Sequence, residues 1–210
     1  MLPAECDDER VIEGMRLCWN DALLHAAKLA SAYSVEVIKT DGTDSIQIGK
    51  LLLPGVGAFD PAMQAIHERG LHGVLQHKVV AEKVPVLGIC LGMQLLGLGS
   101  EEGELPGLGW IDMWARKFPA MEGLKVPHMG WNRVFPTGHG NLHCPDDESR
   151  FYFVHSYYVK TEDRSHAVMT ARHGIEFDAV VQCGNVYGAQ FHPEKSHRFG
   201  MGLLESFMRL

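Results

Sequence analysis

The chain has 210 residues, a formal net charge of -7, 46% hydrophobic residues and 21% charged ones. That length supports one domain with a substantial buried core and is short for two, so a single domain over 1–210 is expected. The negative balance, with no basic run, argues against nucleic acid or an anionic membrane as partner. The most apolar stretch, residues 84–98, is too short to span a bilayer.

The opening MLPAECDDER is acidic where a secretory signal would be basic and then apolar, so a cytoplasmic protein is expected. Five cysteines (Cys6, Cys18, Cys90, Cys144 and Cys183) are scattered, odd in number and without a CxxC pair. They suggest neither a disulfide framework nor a zinc site. Twelve histidines raise the question of a metal, yet no HExxH occurs and His143-Cys144 lacks further ligands at useful spacing. No metal and no cofactor is expected.

In chain order, residues 35–38 and 50–53 read as short strands, the second ended by Pro54 and Gly55. Asp60-Pro61 reads as an N-cap followed by proline in the first turn, opening a helix to about Arg69 with Gly70 as its stop. A second helical stretch, residues 71–83, leads to an apolar strand at 86–89. The second half is richer in β-formers. FYFVHSYYV at 151–159 reads as a strand, and residues 167–171, 179–182 and 185–191 as three more. Residues 200–210 are apolar at helical spacing. Strands alternating with helices predict an α/β fold, with a mixed, mostly parallel central sheet and helices on both faces.

The sharpest chemical signal is Gly88-Ile89-Cys90-Leu91-Gly92, between an apolar strand and the helical run 93–98. This is the nucleophile-elbow pattern with cysteine as nucleophile. Glycines flank it because side chains would collide with neighbouring backbone. Free N–H groups at the following helix start would favour a thiolate and an oxyanion. The plainer reading of a lone cysteine is a buried small hydrophobe, and the glycine bracket is what favours the nucleophile.

A thiol nucleophile needs a base, and the base an orienting group. Gln190-Phe191-His192-Pro193-Glu194-Lys195-Ser196 follows the last expected strand. In extended chain, with proline between them, His192 and Glu194 would share one side, so Glu194 could hold one ring nitrogen while the other faces Cys90. Taken alone, His-Pro-Glu reads more readily as a surface turn. Leu53-Pro54-Gly55-Val56-Gly57-Ala58-Phe59 also follows a strand. Without GxGxxG or GK[ST] it is no nucleotide loop, and its backbone N–H groups could instead stabilise an oxyanion.

PGVGAF, GICLGMQLL, VPHMGWN, FYFVHSYYV and QFHPEKS occur here in the order found in class I glutamine amidotransferases, and the chain resembles that family from about Val35 onward. More particularly it resembles glutaminase subunits of imidazole glycerol phosphate synthases. The resemblance implies a flavodoxin-like amidotransferase fold, glutaminase activity and a triad of Cys90, His192 and Glu194. It also implies an oxyanion hole from the N–H groups of Val56 and Leu91, with Gly57, Gln94, His155, Ser156 and Tyr157 holding glutamine. A (β/α)8-barrel synthase (cyclase) subunit would dock as a heterodimer against His128, Trp131, Asn132, Tyr152 and Lys195, and receive ammonia for imidazole glycerol phosphate synthesis in histidine biosynthesis. The family's opening DYGxGN-like turn is absent, since residues 10–20 read RVIEGMRLCWN. SEEGELPGLGWI and EKSHRFGMGLL also resemble a paralogous branch that feeds ammonia to a sugar-amidating enzyme of surface-polysaccharide synthesis. A cysteine peptidase-like hydrolase of the same architecture is the other alternative.

Overall fold

The computed structural model describes residues 49–142 and 149–210, which fall within one compact unit. The strand expected at 35–38 and the altered opening at 10–20 lie outside the described residues, and the single-domain expectation reaches into them.

Strand β1 (Leu51–Gly55) takes in the proline and glycine expected to end it. Helix α1 (Phe59–Glu68) follows, buries Phe59, Met63 and Ile66, and ends before Gly70 at a left-handed φ of 67°. Its N-cap is Ala58, not Asp60, and Ala58 makes no side-chain cap bond. The Asp60 carboxylate instead accepts the backbone N–H groups of Glu104 and Leu105, at 2.9 and 3.0 Å. Glu102 Oε2 in turn accepts the Phe59 N–H at 2.9 Å. Two loops thus satisfy each other's free donors, a capping arrangement that local sequence could not reveal.

Helix α2 (Leu71–Gln76) widens into π-turns over His77–Ala81 before β2 (Val86–Cys90). Every β2 residue is buried because the strand lies between β1 and β11 (Val186–Ala189), parallel to both. Helix α3 (Leu91–Leu95) starts one residue after β2 ends, earlier and shorter than the expected 93–98 run.

The order of the main sheet among the described residues is β1-β2-β11-β10-β9-β6, with β6 at Phe135–Pro136, β9 at Ala167–His173 and β10 at Ile175–Cys183. It is mixed as expected, parallel through β1, β2 and β11 and antiparallel through β10, β9 and β6.

The FYFVHSYYV segment is two strands rather than one. Strand β7 (Arg150–His155) pairs with β5 (His128–Arg133), whereas β8 (Tyr157–Thr161) pairs with β4 (Met113–Lys117), which also carries β3 (Gly99–Ser100). Composition is the same on both sides of Ser156, so only the partner strands reveal the break.

Aromatic rings of β7 pack against Phe177 of β10 and against Phe191. Phe151 stacks on Phe191 with centroids 3.7 Å apart, and Phe153 meets Phe177 edge-on at 5.8 Å. Asp178 is wholly buried, yet Arg164 grips both its oxygens at 2.8 Å and Thr161 donates from N and Oγ1, so the charge is paired. The closing helix α4 (His197–Met208) buries Phe199, Leu203 and Phe207. Among the described residues no helix is long and apolar enough to cross a membrane, and no group of three or more His, Cys, Asp or Glu is arranged to hold a metal ion.

Candidate active site

Cys90 occupies φ 56° and ψ -113°, a left-handed conformation that L side chains rarely adopt. Such strain persists only where the surroundings over-determine it. The glycines supply that constraint. A Cβ on Gly92 would collide with the Leu53 carbonyl, and one on Gly88 would lie 2.5 Å from the Gly92 carbonyl oxygen. Helix α3 therefore crosses against β1 and β2 at a distance only glycine allows, and the sharp turn falls on Cys90.

The cysteine is 7% exposed. Its Sγ lies 3.7 Å from the Val154 carbonyl oxygen and 3.9 Å from Gln190 Nε2, and it is hydrogen-bonded to His192. Glu194 Oε1 holds His192 Nδ1 at 2.7 Å, which leaves Nε2 for the sulfur. Both side chains are nearly inaccessible, at 2% and 5%. Glu194 Oε2 has no hydrogen-bond partner among the described residues, so the carboxylate's stabilisation comes through the imidazole. Burial is the largest influence on His192 and disfavours its charge, yet the Cys90 sulfur and the Glu194 carboxylate outweigh it. The imidazolium is held well above the ordinary imidazole range.

The extended His-Pro-Glu geometry is corrected in part. His192 is extended, at φ -100° and ψ 97°, as the residue before proline should be, but Pro193–Lys195 is a 3₁₀ turn. That turn, not an extended chain, brings Glu194 back to the ring. The loop is pinned to β7, since the His192 N–H donates to the Tyr152 carbonyl at 2.9 Å. Ser196 Oγ then accepts the Tyr152 N–H at 3.0 Å and donates to the His192 carbonyl at 2.6 Å.

The glycine loop stands beside this cluster. Gly55 pairs with Cys90 in the β1–β2 register, which puts Val56 and Gly57 just beyond Cys90. Gly57 has φ 103° and Val56 is largely exposed, whereas Leu91, on the other side of Cys90, is buried. Glu102, missed by sequence reasoning, braces the loop through Phe59, and burial pushes its carboxyl up. The Tyr157 phenol is also raised, by burial first and then by the charges of Glu102 and Glu101. Only the capping contact across the fold could have singled Glu102 out.

Gln94 is buried. Its Nε2 donates to the Tyr157 carbonyl and to Gln190 Oε1, each at 3.2 Å. His155 is buried too, with Nδ1 on that same carbonyl at 2.8 Å and Nε2 2.9 Å from His128 Nδ1. The His155 side chain is thereby committed to the core, so only backbone at that position, with Ser156 and Tyr157, is available to a ligand.

Of the residues expected on a docking face, His128 does not belong there. It is 5% exposed, stacked between Phe153 and His173 at 4.8 and 4.2 Å. Burial, then the neighbouring His173, lowers His128 to about 4, and burial takes His155 to about 3. Trp131 is exposed and stacks flat on His197 at 5.6 Å. Tyr152 meets Trp131 edge-on at 6.2 Å, and Lys195 Nζ sits 6.0 Å above the Tyr152 ring. Asn132 Nδ2 donates to the Arg172 carbonyl at 2.9 Å.

Comparison with known proteins identifies the family. Residues 20–209 match the family described as Glutamine amidotransferase class-I. A Pseudomonas aeruginosa protein named imidazole glycerol phosphate synthase subunit HisH 2 is 51% identical over 168 residues, covering 80% of this chain and 83% of that one. The HisH subunit of Bdellovibrio bacteriovorus is 48% identical, covering 77% and 81%. Among solved structures, a glutamine amidotransferase superposes with a TM-score of 0.53 at 19% identity, over 75% of this chain and 80% of that one. A glutamine amidotransferase from Thermotoga maritima gives 0.52 at 17% identity, over 77% and 63%. At these identities the structural likeness speaks for the fold alone.

Proposed function

This chain belongs to the class I glutamine amidotransferase family, and from that premise we propose that it is the glutaminase subunit of an imidazole glycerol phosphate synthase, working in the cytoplasm in histidine biosynthesis. The family match over 20–209 supports reading 1–210 as one amidotransferase domain. The observation that carries the chemistry is the strained Cys90 beside a His192 already held by Glu194.

The Cys90 thiolate attacks the glutamine carboxamide carbon, and the carbonyl π-pair moves to oxygen. The N–H groups of Val56 and Leu91 receive that oxyanion, with Gly57, Gln94 and the 155–157 backbone holding the substrate. His192 gives its proton to the departing nitrogen, so ammonia leaves as the C–N bond breaks and a glutamyl thioester remains. Water, deprotonated by His192, adds to the thioester. Glutamate departs as the C–S bond breaks, and the thiolate–imidazolium pair is restored.

Ammonia is useful only if kept from bulk water, which calls for a receiving synthase. Trp131 and Tyr152, with Lys195 Nζ over the Tyr152 ring, form an aromatic face of the kind that interfaces favour, whereas Asn132 lies on the other side of β5 with His128. A (β/α)8-barrel cyclase subunit is the proposed partner, in a heterodimer.

The test is glutamate release from glutamine by the wild type and by Cys90→Ala, each with and without an imidazole glycerol phosphate synthase barrel subunit. The proposal expects release that needs Cys90 and rises with the barrel. Cys90-dependent release indifferent to the barrel would direct the ammonia to another acceptor, such as a sugar-amidating enzyme. A folded chain that releases nothing in any arm would overturn the enzymatic reading.

A further inference from the structure

The proposed mechanism leaves one fully buried polar side chain against the nucleophile unused. Gln190 is 0% exposed, and its amide lies between Cys90 Sγ, at 3.9 Å, and Gln94 Nε2, at 3.2 Å. Which end of an amide faces which neighbour is settled by the network around it. Here that network is anchored by carbonyl groups that can only accept.

The Tyr157 carbonyl receives both Gln94 and His155, so the Gln94 atom facing it must be the NH₂ end. That NH₂ also reaches Gln190, so the Gln190 atom it meets must be Oε1. The remaining end of Gln190, which faces the sulfur, is therefore an N–H donor.

The other branch agrees. His155 Nδ1 must carry its proton to bond Tyr157, which leaves Nε2 bare to accept from His128 Nδ1. His128 Nε2 is then bare to accept from Asn132 Nδ2, 3.1 Å away, whose second bond goes to the Arg172 carbonyl. Both histidines are thus neutral, in keeping with the lowered values that burial gives them. Each of these contacts then pairs one donor with one acceptor, and a chain of contacts so matched favours one arrangement.

We propose that Gln190 is a further catalytic residue, whose amide N–H holds the Cys90 sulfur as a thiolate in attacking position. The surroundings of Sγ divide accordingly. A protonated thiol can donate to the Val154 carbonyl, 3.7 Å away. A thiolate is repelled by that oxygen and favoured by Gln190 Nε2 and the His192 imidazolium. Gln190 thus biases the sulfur toward the ionised form and away from Val154, and the amide needs no proton exchange to do so. Its own geometry is held by Gln94, whose place on α3 ties it to the elbow. This inference rests on the reading of Cys90 as nucleophile.

The test follows alkylation of Cys90 by iodoacetamide in the full chain, read on the Cys90 peptide by mass spectrometry, which sets the other cysteines aside. Thiolate reacts and thiol does not, so the pH profile reports ionisation. Gln190→Met should move the midpoint up by about one pH unit, since a hydrogen bond to a charged group is worth roughly that much. The kcat of glutaminase measured with the barrel subunit should fall about tenfold with little change in KM. Gln94→Met/Gln190→Met removes both amides, so no buried donor is left unpaired, and should show the same midpoint shift if the single variant folds poorly. Midpoints unmoved in folded variants, or a loss confined to KM, would overturn the proposal and leave Gln190 as glutamine-pocket packing. A wild-type chain with no glutaminase activity, but with the midpoint shift intact, would sink the functional reading and keep the amide–sulfur contact.

Discussion

The elbow and the histidine–aromatic cluster both adjoin β7, the one at the Val154 carbonyl and the other through Phe153 and His155, and are built on opposite physics. At the elbow, Cys90 is held at φ 56° by glycines packed against backbone, and burial there coexists with the charge of the His192 imidazolium. In the cluster, His128 and His155 are held neutral among Phe118, Phe153 and Phe177, with every polar atom matched by hydrogen bonding. One region concentrates strain and charge where chemistry is proposed. The other excludes charge so that the backbone beside the chemistry keeps its place.

The contrast can be broken first at the elbow. Cys90→Ala should lower glutamate release by at least about a thousandfold, since removing a triad nucleophile leaves only residual catalysis. Urea midpoints should not fall, because the replacement removes one buried atom. Glu194→Gln should come next, with kcat down by about a hundredfold to ten-thousandfold as the His192 ring loses its orienting carboxylate. A kcat within tenfold of wild type would take Glu194 out of the triad.

The cluster should answer in stability. Phe177→Ala opens a cavity beside Phe118, Phe153 and His155, and should cost about 3–5 kcal/mol in denaturant unfolding. A change below about 1 kcal/mol would show that the site collapses and that the cluster is not tightly packed.

The two regions should also respond to pH with opposite sign. His128 and His155 bind protons less readily folded than unfolded, with folded values of about 4 and 3. Their contribution is fully present above the ordinary histidine value of about 6.5 and is lost as pH falls toward those folded values, with a slope of up to about 1.4 kcal/mol per pH unit for each. His192 is raised, so its contribution is present below the ordinary value and lost as pH climbs through the folded one. His155→Phe should flatten the acid limb of a stability–pH curve and leave the alkaline limb alone. The smallest expected effect is that of Trp131→Ala on the isolated chain, within about 0.5 kcal/mol in unfolding, because the ring is exposed. Its consequence should appear only as weaker binding of the barrel subunit, measured by titration.

Much of the elbow was legible in the sequence because its determinants are local. Gly88, Cys90 and Gly92 are adjacent in the chain, and a strand-to-helix turn this tight has few residue solutions. His192 and Glu194 were legible for the same reason, although a 3₁₀ turn rather than an extended chain brings them together. Other features depended on residues far apart in sequence. FYFVHSYYV gave no sign of its break at Ser156, since strand composition reports burial and not partner. His128 shares its motif with the exposed Trp131, yet strand alternation puts the two on opposite sides of β5, and the core takes His128.

By itself, then, the sequence determined the strained turn at Cys90, the pairing of His192 with Glu194, and the α/β class. These depend on short-range sterics and on hydrophobic periodicity. The tertiary structure alone decided that Glu102 rather than Asp60 serves the start of α1, that His128 and His155 are neutral core groups, and that Gln190 presents its N–H to the sulfur. Each is a hydrogen-bond match between distant residues, and a buried polar group takes its role from whichever partner the fold sets within about 3 Å.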